Sequence, residues 1–306
     1  MTARRSLRLL ASLVALGACL ALSGCNTDGI SFLFPQGLVA ARQRLWLFEV
    51  IALVAIVVVP TFILVPAFAW YYRRTNRSAN FQPDWAFSWG LEAAIWGVPC
   101  AIVTALAFII VIDEARFDPY APLPGNGDPL EVEVIALNWK WVFIYPAQKL
   151  ATVGELVIPQ GRDVHFRLTS DSTMQSFFIP ALGSQIYAMA GMVTQLHLRA
   201  DNTGVMMGEN TQFNGTGFSG DRFQVEVRTP AGFDDWVKTT AGQGSALSKP
   251  DYETMASHRT VTRDDPNFDL PPEPVRTYSS VEPDLFESIV AKYRKGNGGA
   301  PMSRMQ

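Results

Sequence analysis

The stretch LWLFEVIALVAIVVVPTFILVPAFAWYY, residues 45–72, decides the fold of this chain. It contains a single charged residue, Glu49, and about 20 apolar residues are enough to cross the hydrocarbon core of a bilayer. Pro60 and Pro66 interrupt the run, which a membrane helix tolerates where neighbouring helices restore the lost backbone hydrogen bonds. The stretch predicts a first transmembrane helix at residues 45–72, with Glu49 in an interfacial role near its outer end.

A second apolar run, LEAAIWGVPCAIVTALAFIIVI at residues 91–112, has similar reach and predicts a second transmembrane helix. The short connection at residues 73–90 contains three basic residues: Arg73, Arg74 and Arg77. Positive charge in a short loop is typical of the cytoplasmic side of a membrane. The two helices are therefore predicted to form a hairpin with a cytoplasmic loop and with both ends outside the cytoplasm.

The N-terminus has the order of an export signal, a basic segment followed by an apolar one. Its parts are Arg4, Arg5 and Arg8, then the apolar run at residues 9–22. The sequence LSGC at residues 22–25 resembles the processing site of a bacterial lipoprotein, in which diacylglycerol is attached to the cysteine sulfur before cleavage. The resemblance implies a signal peptide at 1–24, a lipid on Cys25 and a periplasmic segment at 25–44. The alternative is a chance cysteine inside a signal anchor.

Composition narrows the classes of function. The 306 residues carry a formal net charge of −3, and loss of the three N-terminal arginines with the signal peptide would make it −6. Nucleic acid is therefore not an expected partner. The cysteines are Cys19, Cys25 and Cys100, of which processing would remove the first and lipid would occupy the second. No disulfide framework is expected.

Residues 113–230 predict an exported all-β domain. Short alternating or β-branched runs bounded by turn residues are typical of strands, and several of them indicate a sandwich or barrel. The predicted strands are at residues 130–136, 155–159, 164–168, 194–198 and 223–227. Residues 231–306 predict a C-terminal extension with one helix near Asp234 and another at Pro283–Tyr293. We expect this Pro-rich extension to follow the surface of the domain rather than to form a second core.

The order of two membrane helices and an exported β domain, together with WKWVF at residues 139–143, resembles subunit II of haem-copper terminal oxidases. The runs TSDSTMQSFFIP at 169–180 and LGSQIYAMAGM at 182–192 are similar to the bo-type quinol oxidase branch of that family. The similarity extends from residue 22 to about Pro230 and continues more weakly beyond it. It implies a membrane-anchored protein with a cupredoxin-like sandwich and a C-terminal helical extension.

In the cytochrome c oxidase branch, the cupredoxin domain holds two copper ions through a histidine before a Ser-Phe pair and the pattern C-x-E-x-C-x-x-x-H-x-x-M. The matching positions in this chain are Gln175, Asn210, Gln212, Asn214, Phe218 and Asp221. A copper site of this kind needs thiolate, and residues 113–306 contain no cysteine. The chain's histidines, His165, His197 and His258, are interpreted as satisfied strand residues or a solvated side chain. The domain is therefore predicted to bind no metal.

The resemblance further implies that electrons come from a membrane quinol, and that the haems and a copper ion reside in subunit I. The chain itself then has no catalytic residue and binds no cofactor, and its partners are subunit I and further small membrane subunits. The assembly would oxidise ubiquinol, reduce oxygen to water and move protons outward. Two alternatives stay open: a menaquinol-using relative, and a non-enzymatic lipoprotein module for binding or assembly.

Three residues are candidates for a role within such a complex. Glu92 is an ionisable residue near the cytoplasmic end of the second span, where a carboxylate is costly. The resemblance places it at the mouth of a proton channel that leads through subunit I, whereas the simpler reading is an interfacial carboxylate favoured by the helix dipole. Trp139 and Trp141 are predicted to pack against subunit I, because aromatic side chains suit buried interfaces.

Overall fold

The computed structural model describes residues 32–80, 84–114, 118–124, 127–183, 185–257 and 274–294. The predicted signal peptide, Cys25 and His258 lie outside the described residues. In the described part of the chain, two long apolar helices come first, as the sequence predicts: α1 spans Leu38–Tyr71 and α2 spans Trp89–Glu114. Both are long and apolar enough to cross a bilayer.

Helix α1 is longer than a membrane span requires. Its 34 residues reach about 51 Å, whereas the hydrocarbon core of a bilayer is about 30 Å thick. Trp46 and Trp70, typical interface residues, are about 36 Å apart along the helix axis and bracket such a core. The helix begins before the predicted start at residue 45 because Val39 and Ala40 are buried against the β domain.

The chain just before α1 is attached to the β domain by backbone hydrogen bonds. Gly37 forms an antiparallel bridge with Ala200, and the Ala40 amide donates to the Leu182 carbonyl at 3.0 Å. Gly183 makes the close approach possible: its φ is +98°, and a Cβ there would collide with the Ala40 backbone. The first turn of α1 and the domain therefore form one packed unit.

Twelve strands lie in the described part of the chain after α2 and form a two-sheet sandwich, which confirms the predicted architecture. They are β1 Leu130–Leu137, β2 Lys140–Tyr145, β3 Leu150–Val153, β4 Glu155–Pro159, β5 Asp163–Ser170, β6 Gln175–Phe178, β7 Gln185–Ala188, β8 Thr194–Arg199, β9 Gly204–Asn210, β10 Arg222–Arg228, β11 Ser245–Leu247 and β12 Arg276–Val281. The helices among and after them are a 3₁₀ turn at Phe218–Gly220, α3 Pro230–Gln243, α4 Lys249–Ser257 and α5 Leu285–Arg294.

One sheet has seven strands in the order β11-β12-β3-β2-β1-β5-β8, and the other has five in the order β4-β10-β9-β6-β7. The core between them is rich in aromatic rings. Phe177 stacks on Phe223 with ring centroids 5.2 Å apart, and Trp141 meets Phe177 at 5.4 Å. These rings are fully buried, and burial of each large apolar side chain stabilises the fold by about 1.5–3 kcal/mol.

The C-terminal extension departs from the prediction that it would only follow the surface. Strands β11 and β12 join the seven-stranded sheet, and a second hydrophobic cluster forms on the outer face of that sheet. In this cluster, Ile135 and Val142 of the sheet pack with Tyr252 of α4 and with Phe286 and Ile289 of α5. The prediction was wrong because the second half of β1 and most of β2 are apolar on both faces, so the outer face of the sheet is covered there by the helices of the extension.

Asp171, directly after β5, ties both C-terminal helices to the sandwich. Its side chain is only 5% exposed, and it accepts hydrogen bonds from the Tyr252 hydroxyl at 2.9 Å and from Lys292 Nζ at 2.7 Å. A buried carboxylate is stable when it is paired and hydrogen-bonded in this way. The extension is therefore held by polar contacts as well as by apolar burial.

A second polar cluster, centred on Arg167 of β5, holds the start of α5. Arg167 pairs with Glu133 Oε1 at 2.7 Å and with Glu287 Oε1 at 2.6 Å, and its guanidinium lies 5.1 Å from the Phe286 ring centroid. Burial raises the pKa of Glu133 from its ordinary value of 4.5 to about 7, although Arg167 opposes the shift.

We expect the docking of α5 to weaken as pH rises from about 4.5 to about 7, because in that window the folded state binds more protons than the unfolded state. Hydrogen exchange at residues 285–294 of the full-length protein, corrected for intrinsic rates, measures this opening. Glu133→Gln should flatten the dependence, whereas Glu209→Gln, on β9 of the other sheet and outside the Arg167 cluster, should keep it. Wild-type protection that stays constant across the window would contradict the prediction.

Candidate functional site

The six positions that match copper ligands come together at one end of the sandwich. Gln175 opens β6, Asn210 ends β9, and the others lie in the segment that follows β9. Strands β6 and β9 are paired with Phe177 opposite Asn210, which brings the start of β6 beside the chain that leaves β9. We call residues 210–221 the substituted loop.

Asn210 and Asp221 hold the substituted loop through hydrogen bonds. Asn210 Oδ1 accepts from the backbone amides of Ser176 and Gln212, both at 2.9 Å. Asn210 Nδ2 donates to Asp221 Oδ2 at 2.9 Å, and Asn214 Nδ2 donates to the same oxygen at 2.9 Å. Asn210 and Asp221 are buried, so these bonds are shielded from water.

Gln175 forms hydrogen bonds with residues outside the substituted loop. It is fully buried, and its Nε2 donates to the Leu137 carbonyl at 2.7 Å and to Ser172 Oγ at 2.8 Å. Ser172 and Ser176 are site residues that the sequence analysis did not single out. Both serines lie within three residues of Gln175 in the run at residues 169–180, and this proximity could have identified them from the sequence.

Trp139 and Trp141 do not form an outward surface, and this corrects the prediction that they pack against subunit I. Trp141 is fully buried among the core rings, and Trp139 is 9% exposed. Trp139 has a φ of +57°, and its ring lies so close to Gly217 that a Cβ there would collide with it. Trp139 precedes β2, whereas Trp141 lies within β2. Because the side chains of a strand alternate between faces, Trp141 lies on the face opposite Lys140 and packs inside the sandwich.

The residues of the substituted loop do not fit a copper pair. They offer amide groups and one carboxylate, whereas such a centre needs thiolates and imidazoles. Phe218 has no donor atom, and its ring packs against Phe213 with centroids 5.6 Å apart. In the described residues, no three His, Cys, Asp or Glu side chains approach closely enough to hold a metal ion.

The two described histidines form a pair on the seven-stranded sheet, away from the substituted loop. His165 and His197 are opposite each other in β5 and β8, with rings stacked at 4.5 Å. His197 Nδ1 bonds to Asp163 Oδ2 at 2.8 Å, and His165 Nε2 bonds to Gln195 Oε1 at 3.0 Å. Both are satisfied strand histidines, as the sequence analysis interprets them.

Glu92 belongs to a separate region. It lies in the first turn of α2, is half-buried, and its Oε2 accepts a hydrogen bond from Trp96 Nε1 at 3.2 Å. The length of α2, about 39 Å at 1.5 Å per residue, separates this turn from the start of the β domain. Glu49 of α1 pairs with Arg42 at 3.7 Å, two turns away, which agrees with an interfacial role.

Family models match two parts of the chain. Residues 130–226 match the model described as cytochrome c oxidase subunit II, periplasmic domain, and residues 271–297 match the one described as the COX aromatic rich motif. Among solved structures, the periplasmic domain of subunit II of cytochrome oxidase from Bradyrhizobium japonicum is 20% identical, with a TM-score of 0.36, over 38% of this chain and 96% of that chain.

Full-length relatives are more similar. Cytochrome bo(3) ubiquinol oxidase subunit 2 of Pseudomonas putida is 41% identical over 98% of this chain and 91% of its own length. Its namesake in Pseudomonas aeruginosa is 40% identical over 92% of this chain and 80% of its own length. Ubiquinol oxidase subunit 2 of Acetobacter aceti is 41% identical over 94% of this chain and 91% of its own length. Together with the sandwich and the two apolar helices, these similarities show that the chain belongs to the family of ubiquinol oxidase subunit 2.

Proposed function

We propose that this chain is subunit II of a proton-translocating ubiquinol oxidase complex in aerobic respiration, which oxidises membrane quinol to quinone and reduces oxygen to water. The observation that carries the proposal is the substituted loop. Every copper-ligand position holds a residue unsuited to a copper pair, and Asn210 and Asp221 are bonded to one another and to the surrounding loop. The domain thus offers no metal to take electrons from a soluble donor. A quinol within the bilayer can deliver them directly to the partner subunit.

In this assembly, subunit I would hold the haems and the oxygen-binding copper, which supply the electron transfer and the oxygen chemistry. This chain would contribute an anchored scaffold for subunit I and for further small membrane subunits. Its own residues take no part in bond-breaking. The surface for subunit I has to come from side chains other than Trp139 and Trp141, since the sandwich buries both.

We further propose that the chain is a two-span protein of the bacterial inner membrane, with the loop at 73–90 in the cytoplasm. Signal peptide 1–24 would be removed and Cys25 acylated, palmitate being one expected chain. The segment from 25 to α1, the sandwich and the extension at 231–306 would all be periplasmic. The bridge between Gly37 and Ala200 supports this topology, because it requires the chain before α1 and the domain after α2 to be on the same side.

Glu92 is our proposed entrance to a proton channel. It lies at the end of α2 nearest the arginine-bearing loop, which is the side from which protons would be taken up. Its carboxylate is half-buried and held by Trp96, and an ionisable group at this depth usually faces protein or water. At that place it can pass protons from the cytoplasm to groups in subunit I.

The test of function is oxygen consumption by the complex purified with this chain, supplied separately with ubiquinol, menaquinol and reduced cytochrome c. We expect activity with ubiquinol and none with cytochrome c. Higher activity with menaquinol would identify the chain as part of a menaquinol-using relative in the same family. Activity with cytochrome c would contradict the argument from the substituted loop, and a preparation without haem or activity would favour a non-enzymatic lipoprotein module.

Glu92→Gln should lower ubiquinol oxidase turnover by about tenfold with unchanged haem content. This loss is smaller than the 10²–10⁴ that general acid–base groups commonly contribute, because water can reach a half-buried site. Glu49→Gln, near the other end of the hairpin, is the matched control and should leave turnover unchanged. Normal turnover and proton uptake in Glu92→Gln would remove the channel assignment.

Cys25→Ala should abolish acylation while membrane insertion persists, because the two apolar helices are far stronger anchors than acyl chains. Intact-mass spectrometry of the purified chain measures both processing and lipid. The matched control is Cys100→Ala, which should leave the lipid mass in place. A wild-type mass without lipid would refute the lipoprotein proposal.

A further inference from the structure

The turn that follows α1 concentrates positive charge at one end of the helical hairpin. Arg73, Arg74 and Arg77 fall within five residues, and all three side chains are exposed. Within residues 32–80, 84–112 and 114, no ion pair involves any of them. The acidic residues at this end of the hairpin are Asp84 and Glu92, so the three arginines outnumber them and the local charge is positive.

This turn has a defined conformation. The Asn76 amide donates to the Arg73 carbonyl at 2.9 Å, and Asn76 Nδ2 donates to the Tyr71 carbonyl at 2.7 Å, which caps the end of α1. Asn76 Oδ1 in turn accepts from the Ser78 amide at 3.2 Å. Asn76 thus fixes the backbone on both sides of Arg74 and Arg77, so their charges are presented from an ordered loop.

Arg73 is held in place by an aromatic ring. Its guanidinium lies 4.8 Å from the centroid of Trp70, and its Nε donates to Thr75 Oγ1 at 3.1 Å. A guanidinium stacked in this way keeps other N–H groups available for an anion. Trp70 is 69% exposed, as expected of a ring that meets lipid at the level of the headgroups.

The start of α2 supplies more aromatic rings at the same end of the hairpin. Trp85, Phe87 and Trp89 are all more than half exposed, and the rings of Phe87 and Trp89 meet edge to face at 5.2 Å. Aromatic residues of this kind mark the interface between hydrocarbon and headgroups. The three arginines therefore lie at the depth where lipid phosphates lie.

We propose that residues 73–78 bind the phosphate headgroup of an anionic phospholipid in the cytoplasmic leaflet, with Arg74 and Arg77 as its ligands and Arg73 as a third, fixed cation. Arginine suits this role because its fork of N–H donors matches phosphate oxygens in pairs. Basic side chains next to a membrane helix gain further from the negative charge of the cytoplasmic leaflet. The inference rests on the proposed orientation of the hairpin.

The test uses the complete oxidase complex in nanodiscs made from phosphatidylcholine with a small fraction of phosphatidylglycerol. Native mass spectrometry, after release from the discs, measures the phosphatidylglycerol that stays bound. We expect phosphatidylglycerol to be enriched over phosphatidylcholine on the wild-type complex. Arg74→Gln with Arg77→Gln should weaken retention by about 25-fold, which is about fivefold for each arginine near an anionic surface.

The matched control is Arg222→Gln with Lys238→Gln, which removes the same charge from exposed positions of the β domain. It should retain the lipid as the wild type does. Arg74→Lys with Arg77→Lys keeps the charge and should give an intermediate loss. If the glutamine variants do not assemble, the double lysine variant takes their place in the retention measurement.

Three outcomes would overturn the proposal: equal retention of the two lipids by the wild type, equal loss in the control variant, or displacement of the lipid by millimolar inorganic phosphate. The last would indicate a site for free phosphate. Ubiquinol oxidase activity is measured on the same samples. Active complex without phosphatidylglycerol preference rejects the lipid site alone, whereas absent activity in wild type counts against the proposed function.

Discussion

The attachment of the first turn of α1 to the sandwich governs how the rest of the molecule is arranged. The chain before the helix forms a bridge with Ala200, and Ala40 is fully buried at the joint. Gly183 admits the helix because no side chain could occupy that space. A helix cannot bend freely without losing backbone hydrogen bonds, so the direction of α1 in the membrane fixes the direction of the β domain above it. The buried first turn of α1 therefore sets the orientation of the sandwich relative to the start of the helix.

Hydrogen bonds hold the substituted loop at the end of the sandwich. Asp221 accepts from two side-chain amides, and Asn210 bonds to the backbone of Ser176 in β6 and of Gln212 in the loop. Each neutral hydrogen bond contributes about 1 kcal/mol, and those to a charged group contribute more. Together they keep the loop closed, and Trp139 lies against Gly217 beneath it.

Much of this arrangement could be predicted from the sequence, and the exceptions have physical causes. The apolar runs and the alternation in β5, β8 and β10 predicted the helices and a sandwich, and the six positions named from the motif lie at one end of that sandwich. Strands β3, β6 and β7 have four residues each, too few for alternation to be read. The second core was missed because the alternation of residues 130–134 indicates an exposed outer face, whereas the rest of β1 and most of β2 are buried on both faces. Trp141 was assigned to an interface because aromatic side chains suit buried interfaces, but they suit a domain core equally well.

The two edge strands of the seven-stranded sheet, β11 and β8, offer little free backbone for pairing with another chain. At one end, β11 is only three residues long, and at the other, the segment at Gly37 bridges to the residue that follows β8. Unpaired strand edges are templates on which other chains can pair and aggregate, and short or covered edges remove that template. A short strand at one edge and a bridge at the end of the other therefore limit pairing of this sheet with a second chain. The segment that connects the sandwich to α1 thus also occupies part of a sheet edge.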